Sequence, residues 1–203
     1  MKLMGMGSMM ATAAETEKES PDEPDVYDLG EDKIGFYCDI SCKTVSLLVK
    51  MLMNKADLLT ALHTNEKRPR PDLFVYVRSG GGSICSALAA YDHIRHMSKR
   101  VRVITIAEGH IASCATLLFL AGERRMATRH STFLFHQLST TFHGTYTNLR
   151  YELKECASLM RMMSRILFKY SNLSKRDVAK LLKKELVLTS KECKRMGLFC
   201  KYY

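Results

Sequence analysis

Short runs of consecutive apolar residues alternate along this chain with longer stretches in which apolar positions recur at helical spacing. Residues 33–40, with Ile34, Phe36, Tyr37 and Ile40, predict a first strand, and residues 42–62 an amphipathic helix. A polar, proline-bearing link follows over residues 63–71. Then Leu73-Phe74-Val75-Tyr76-Val77 is a continuous apolar run suited to a buried parallel strand. Residues 83–97 predict a second helix, residues 101–107 a strand, residues 115–122 an apolar helix and residues 131–135 a further strand. From Tyr146 to about Tyr170, the positions Tyr146, Leu149, Leu153, Ala157, Met160, Met163 and Leu167 form an apolar stripe at three- and four-residue steps. Strand–helix alternation of this kind predicts an α/β class with a largely parallel sheet covered by helices. No internal repeat is visible.

Composition changes this picture little. A chain of 203 residues with 46% hydrophobic content suits one globular domain. The longest apolar run, residues 111–122, is about half of what a bilayer requires, and the first residues lack a hydrophobic signal core, so no membrane association or secretion is expected. Seven scattered cysteines, an odd number, fit reduced thiols in a cytoplasmic or equivalent reducing compartment. Cys38 and Cys42 have no second ligand pair at a suitable spacing, so no metal is expected.

Charge divides the chain in two. Residues 1–32 carry nine acids against Lys2 and Lys18, a net of −7, which leaves +17 for the remainder out of a total of +10. The acidic start, 1–32, is expected to be an unstructured tail up to about Pro24, ahead of one domain over 33–203. The basic body raises nucleic-acid binding. Its charges, however, gather on a C-terminal helical face (Lys175, Arg176, Lys180, Lys183, Lys184) without interleaved aromatics, so a solvated face is the reading and no nucleic acid is expected.

Three features carry chemistry. Ser113 follows a strand and the turn residue Gly109 and opens an apolar helix, where free amides and the helix dipole favour a developing oxyanion. An ordinary serine N-cap would have the same pattern. The neighbouring Cys114 is taken as packing, because adjacent residues at a helix start point in different directions. Gly80-Gly81-Gly82-Ser83 sits between a strand end and a helix, where a parallel sheet opens its ligand crevice. No dinucleotide or phosphate-loop pattern accompanies these glycines. His136 ends the run Phe133-Leu134-Phe135, but the chain has seven histidines, and a third group must orient a base.

These segments resemble the ClpP family, the proteolytic subunits of Clp proteases, within the ClpP/crotonase fold. The likeness rests on Leu73 to Ser83, Ala90-Tyr91-Asp92, Gly109-His110-Ile111-Ala112-Ser113, Ala121-Gly122, His136-Gln137, Leu188-Thr189-Ser190-Lys191-Glu192 and Gly197-Leu198, in the family's order over residues 33–203. The resemblance implies a β-α-β superhelical fold with a protruding handle helix, formed here by the striped segment after Tyr146. It also implies a serine endopeptidase with Ser113 as nucleophile, His136 as general base, and the amides of Gly82 and Cys114 as oxyanion donors. Gly80, Gly81 and Gln137 would line the bound peptide. The family's third residue, an aspartate, is matched by Glu185, which can orient an imidazole. Glu185 also fits a surface charge pairing with Lys183 or Lys184, and Asp177 is another acid in the region.

Two departures are a glycine, Gly80, where the family has proline, and a segment before His136 shorter by about two residues. The implied assembly is a homo-oligomer of heptameric rings, stacked as a tetradecamer, fed unfolded polypeptide by an AAA+ unfoldase that uses the ATP. No cofactor is implied for this chain. A catalytically weak structural or regulatory subunit, and a specialised peptidase such as a capsid-maturation enzyme working without an unfoldase, stay open. A crotonase-type acyl-CoA activity is disfavoured, because that branch does not use a serine–histidine pair.

Overall fold

The computed structural model describes residues 25–63 and 70–203. The acidic start up to Pro24 and most of the proline-bearing link, residues 64–69, lie outside the described residues.

The predicted alternation is present. Strands β1 (Val26–Asp28) and β2 (Lys33–Phe36) precede helix α1 (Cys42–His63), and β3 (Asp72–Ser79), α2 (Ile84–Met97) and β4 (Arg102–Ala112) follow. Then come α3 (Ala115–Ala121), β5 (Arg124–Ala127), β6 (Thr132–Phe135), α4 (Tyr146–Lys169), α5 (Lys175–Lys184), β7 (Leu186–Thr189), α6 (Ser190–Arg195) and β8 (Lys201–Tyr202). One sheet runs in the order β1-β2-β3-β4-β5-β8, with β6 branching from β4 and β7 added to β6. Among the described residues only β1/β2 and β6/β7 pair antiparallel.

Alternation along β3 explains the two layers. Leu73, Val75 and Val77 point into the main core with α1, α2 and α3, whereas Phe74 and Tyr76 join Ile104, Ile106, Tyr37 and Met126 on the opposite face. Among the described residues no helix is long and apolar enough to cross a membrane.

Two boundaries and the burial of one helix differ from the sequence expectation. Residues 26–32, assigned to the acidic tail, form β1 and its turn, because Val26 pairs with Phe36 and the buried Lys55 ammonium binds Asp28 Oδ1 (2.7 Å) and Gly30 O. The strand expected to end at 107 continues to Ala112. Its first half pairs with β5, and beyond an irregularity at residues 108–109 its end pairs with β6 (His110 with Thr132, Ile111 with Phe133, Ala112 with Leu134). Gly109 is therefore inside a strand rather than in a turn. The apolar stripe of α4 is only partly covered: Met163 and Leu167 are buried, whereas Tyr146 (74% exposed) and Leu153 (66%) stand in solvent.

The branch strand β6 is fixed by aromatic packing. Phe133 is fully buried, stacks against Phe199 and Phe135 with ring planes within 17° and 8° of parallel, and tilts against Phe119. Truncating such a ring leaves a cavity as well as losing its transfer energy. Phe133→Ala is expected to cost about 3–5 kcal/mol and to lower Tm by roughly 10 °C or more, read from a thermal melt followed by circular dichroism.

Candidate active site

Ser113 sits in the two-residue turn between β4 and α3, and its backbone is left-handed, with φ of 54°. A serine in this region is strained and persists because its surroundings hold it. Its N–H donates to Leu134 O (2.9 Å), and its carbonyl accepts from Thr116 N (3.1 Å) and Thr116 Oγ1 (2.7 Å). The helix starts later than expected: Cys114 occupies the N-cap of α3, so Ser113 is not the N-cap of that helix. A sharp strand-to-helix turn of this kind exposes a hydroxyl at the end of a sheet.

The glycine run meets this serine directly. Gly81 has φ of 107°, and a Cβ added to it would lie 2.7 Å from Ser113 Cβ and 3.3 Å from Ser113 Oγ. Gly81 is set by its neighbours: its N–H donates to the buried Ser79 Oγ (3.1 Å) and its carbonyl accepts from Ile40 N (2.7 Å). Ser83 N in turn donates to Ile40 O (2.9 Å). In a parallel pair the residue between two such bonds turns its own N–H and C=O the other way. Gly82 is that residue, bridged to Ile40 so closely that a Cβ would fall 2.3 Å from Ile40 O. Among the described residues, neither the Gly82 N–H nor the Cys114 N–H donates a hydrogen bond to another residue. Gly80 is exposed, with the Asp39 carboxylate alongside it.

His136 follows β6, two residues beyond Leu134, whose carbonyl binds Ser113 N; it is half-buried, and Gln137 beyond it is exposed. The β6/β7 ladder runs from Thr132–Thr189 to Phe135–Leu186. The residues next in line on the two strands are His136 and Glu185, so they leave the ladder at the same point. Glu185 is exposed and left-handed (φ 48°, ψ 50°) as the C-cap of α5, and it forms no ion pair with Lys183 or Lys184 among the described residues. Asp177 is engaged elsewhere, accepting from Ser174 Oγ (2.6 Å) at the start of α5 and pairing with Lys180 at 3.8 Å.

The Ser113 hydroxyl itself donates to Cys114 Sγ at 3.9 Å, a weak contact, and not to His136. Serine–base hydrogen bonds in ligand-free enzymes commonly tighten only when substrate is bound. Cys114 is buried, and burial pushes its thiol pKa up, which disfavours a thiolate nucleophile and agrees with a packing role. Among the described residues no group of three or more His, Cys, Asp or Glu is placed to hold a metal ion.

Ser79, Ile40, Thr116 and Leu134 shape the site and were not among the sequence candidates. Only Ser79, next to the glycine run, carried a visible signal. The other three act through backbone or local bonds that no motif marks.

A family model described as Clp protease matches residues 42–201, a span that covers well over half of the 203 residues and holds Ser113, His136, Glu185 and the glycine run. With the mixed α/β sheet and its branch at β4, this match makes the chain a member of the Clp protease family.

Proposed function

We propose that this Clp protease family member is a serine endopeptidase subunit cleaving unfolded polypeptide through an acyl-enzyme on Ser113. The observation that carries the reading is the strained Ser113, packed against Gly81 and flanked by the N–H groups of Gly82 and Cys114, neither of which donates to another residue. His136 takes the hydroxyl proton as Ser113 Oγ attacks the peptide carbonyl, and the C–N bond breaks when His136 returns that proton to the leaving amine. The two N–H groups hold the oxyanion; losing one such donor costs about 3 kcal/mol of transition-state stabilisation. Water deprotonated by His136 then releases the acyl group. Glu185 orients the imidazole and stabilises its cation. An extended substrate adds as a strand along the free edge of Gly82, with Gly80, Gly81 and Gln137 alongside.

Assembly is part of the reading. The exposed apolar stretch of α4 around Tyr146, Leu149 and Leu153 supports a handle-like contact between copies in stacked heptameric rings. The polypeptide would be supplied by an AAA+ unfoldase, which would hydrolyse the ATP. The seven free thiols support a reducing compartment such as the cytoplasm.

The hydroxyl turned toward Cys114 and the exposure of Glu185 favour a second reading, a catalytically weak structural or regulatory subunit. A fluorophosphonate probe separates the two. Ring-sized protein is treated and the adduct located by peptide mass. An adduct on Ser113 whose formation slows at least about tenfold in Glu185→Ala supports the Ser113–His136–Glu185 enzyme. Absence of an adduct on assembled protein moves the assignment to the second reading.

A further inference from the structure

Helices α4 and α5 diverge to leave a groove of about 360 Å³ that the peptidase reading does not use. Its floor is apolar, with Met160, Phe168 and the buried Val178, and Phe168 is 41% exposed. Its rim is cationic, with Arg161, Arg165 and Lys175, all exposed. Among the described residues none of these three cations is in an ion pair, and Lys175 Nζ rests 5.8 Å from the centre of the Phe168 ring. No acidic side chain lines the groove.

The opposite charge is on the same chain. Glu15, Glu17 and Glu19 stand against Lys18 alone, a net of −2 over residues 15–19. The described chain begins beside β1, where Asp25 is held by Lys43 at 3.0 Å. In the sheet order, β6 stands four steps from β1, and α5 packs against β6. Four steps at strand spacing are about 19 Å, and the six to ten chain steps from Asp25 back to Glu19 and Glu15 span up to about 21 to 35 Å when extended. We propose that residues 15–19 dock in the α4–α5 groove of their own subunit, the carboxylates of Glu15, Glu17 and Glu19 on Arg161, Arg165 and Lys175. The attraction is electrostatic, between partly exposed groups, and is therefore screened by salt.

Zero-length carbodiimide coupling of the full chain, read by peptide mass, tests this. A mixture of unlabelled and ¹⁵N-labelled protein distinguishes links within a chain from links between chains. Intrachain amides between Lys175 and the carboxylates of Glu15, Glu17 or Glu19 are expected. Their yield should fall at least about fivefold between about 10 mM and about 1 M salt, as the screening length drops from about 30 Å to about 3 Å. The double variant Arg161→Glu/Arg165→Glu keeps Lys175 and the acidic segment, and it should lose the links to the same degree at low salt. If that variant melts early, the salt series on the unaltered chain decides. No link to Lys175, a yield indifferent to salt or to the double variant, or links between chains only, would each overturn docking in the same subunit.

Discussion

Ser113→Ala will abolish hydrolysis of a fluorogenic peptide, with kcat/KM falling by about 10³-fold or more, while the fold stays intact. The two halves of this expectation come from different features. In the proposed mechanism the hydroxyl is the attacking group, so the loss is large, and no neighbouring nucleophile substitutes for it. Cys114, one residue away, is buried, and burial raises its thiol pKa, so it stays protonated near neutral pH. The fold survives because the Ser113 turn is held by backbone: its N–H on Leu134 O, its carbonyl on both donors of Thr116. Among the described residues, the only hydrogen bond the Ser113 hydroxyl makes is the 3.9 Å contact to Cys114 Sγ. Alanine tolerates the left-handed φ about as poorly as serine, so stability should change by less than about 1 kcal/mol, a Tm shift of no more than about 4 °C. Wild-type-like turnover by Ser113→Ala would refute the nucleophile assignment. A collapse in Tm would mean that the hydroxyl is structural.

Gly81→Ala should damage both the fold and the chemistry, and a neighbouring substitution shows why. At Gly81 the backbone has φ of 107°, a region that costs a side-chain-bearing residue about 1–3 kcal/mol. The new methyl would also lie 2.7 Å from Ser113 Cβ and 3.0 Å from Ala112 O. Neither is the end of a flexible side chain, so the serine turn must move. A displacement of about 1 Å at a reacting atom costs about 10²-fold in rate. Gly80→Ala is the control, since its methyl would meet only the Asp39 carboxylate, at 3.3 Å. Gly80→Ala should therefore leave the thermal melt nearly unchanged and the serine turn in place, since a solvent-exposed site without backbone strain changes stability by only about 0.5 kcal/mol. Peptidase rates and thermal melts on the two variants are sufficient. Equal behaviour of the pair would show that the glycine run is only a linker.

Legibility in the sequence followed the range of the interaction concerned. Apolar periodicity is a local signature of burial, and it marked β3, α1, α2 and β6 within a few residues because each has one face or both faces in the core. Strands β5, β7 and β8 were missed. They are two to four residues long, β5 opens on two arginines, and most of β7 is exposed, so they carry almost no pattern of their own. The far half of β4 escaped for a related reason. A glycine at 109 reads locally as a turn, but β6 supplies partners for residues 110–112 and the strand continues. On α4 the opposite happened. The stripe was plain in the sequence, yet only its C-terminal end has core to pack against in one subunit.

By itself the sequence determined the α/β class, the separation of an acidic start from a basic body, and the residue types of the candidate site, since these depend on composition and on short-range order. The tertiary structure decided the rest. It set Ser113 at φ 54° between a strand end and a helix. It pressed Gly81 against that serine through a bridge from Ile40, about forty residues earlier. It also brought His136 and Glu185, forty-nine positions apart, to the same end of the β6/β7 ladder. Each of these juxtapositions depends on pairing between distant segments, and such pairing exists only once loop-closure entropy has been overcome by the burial of the whole core.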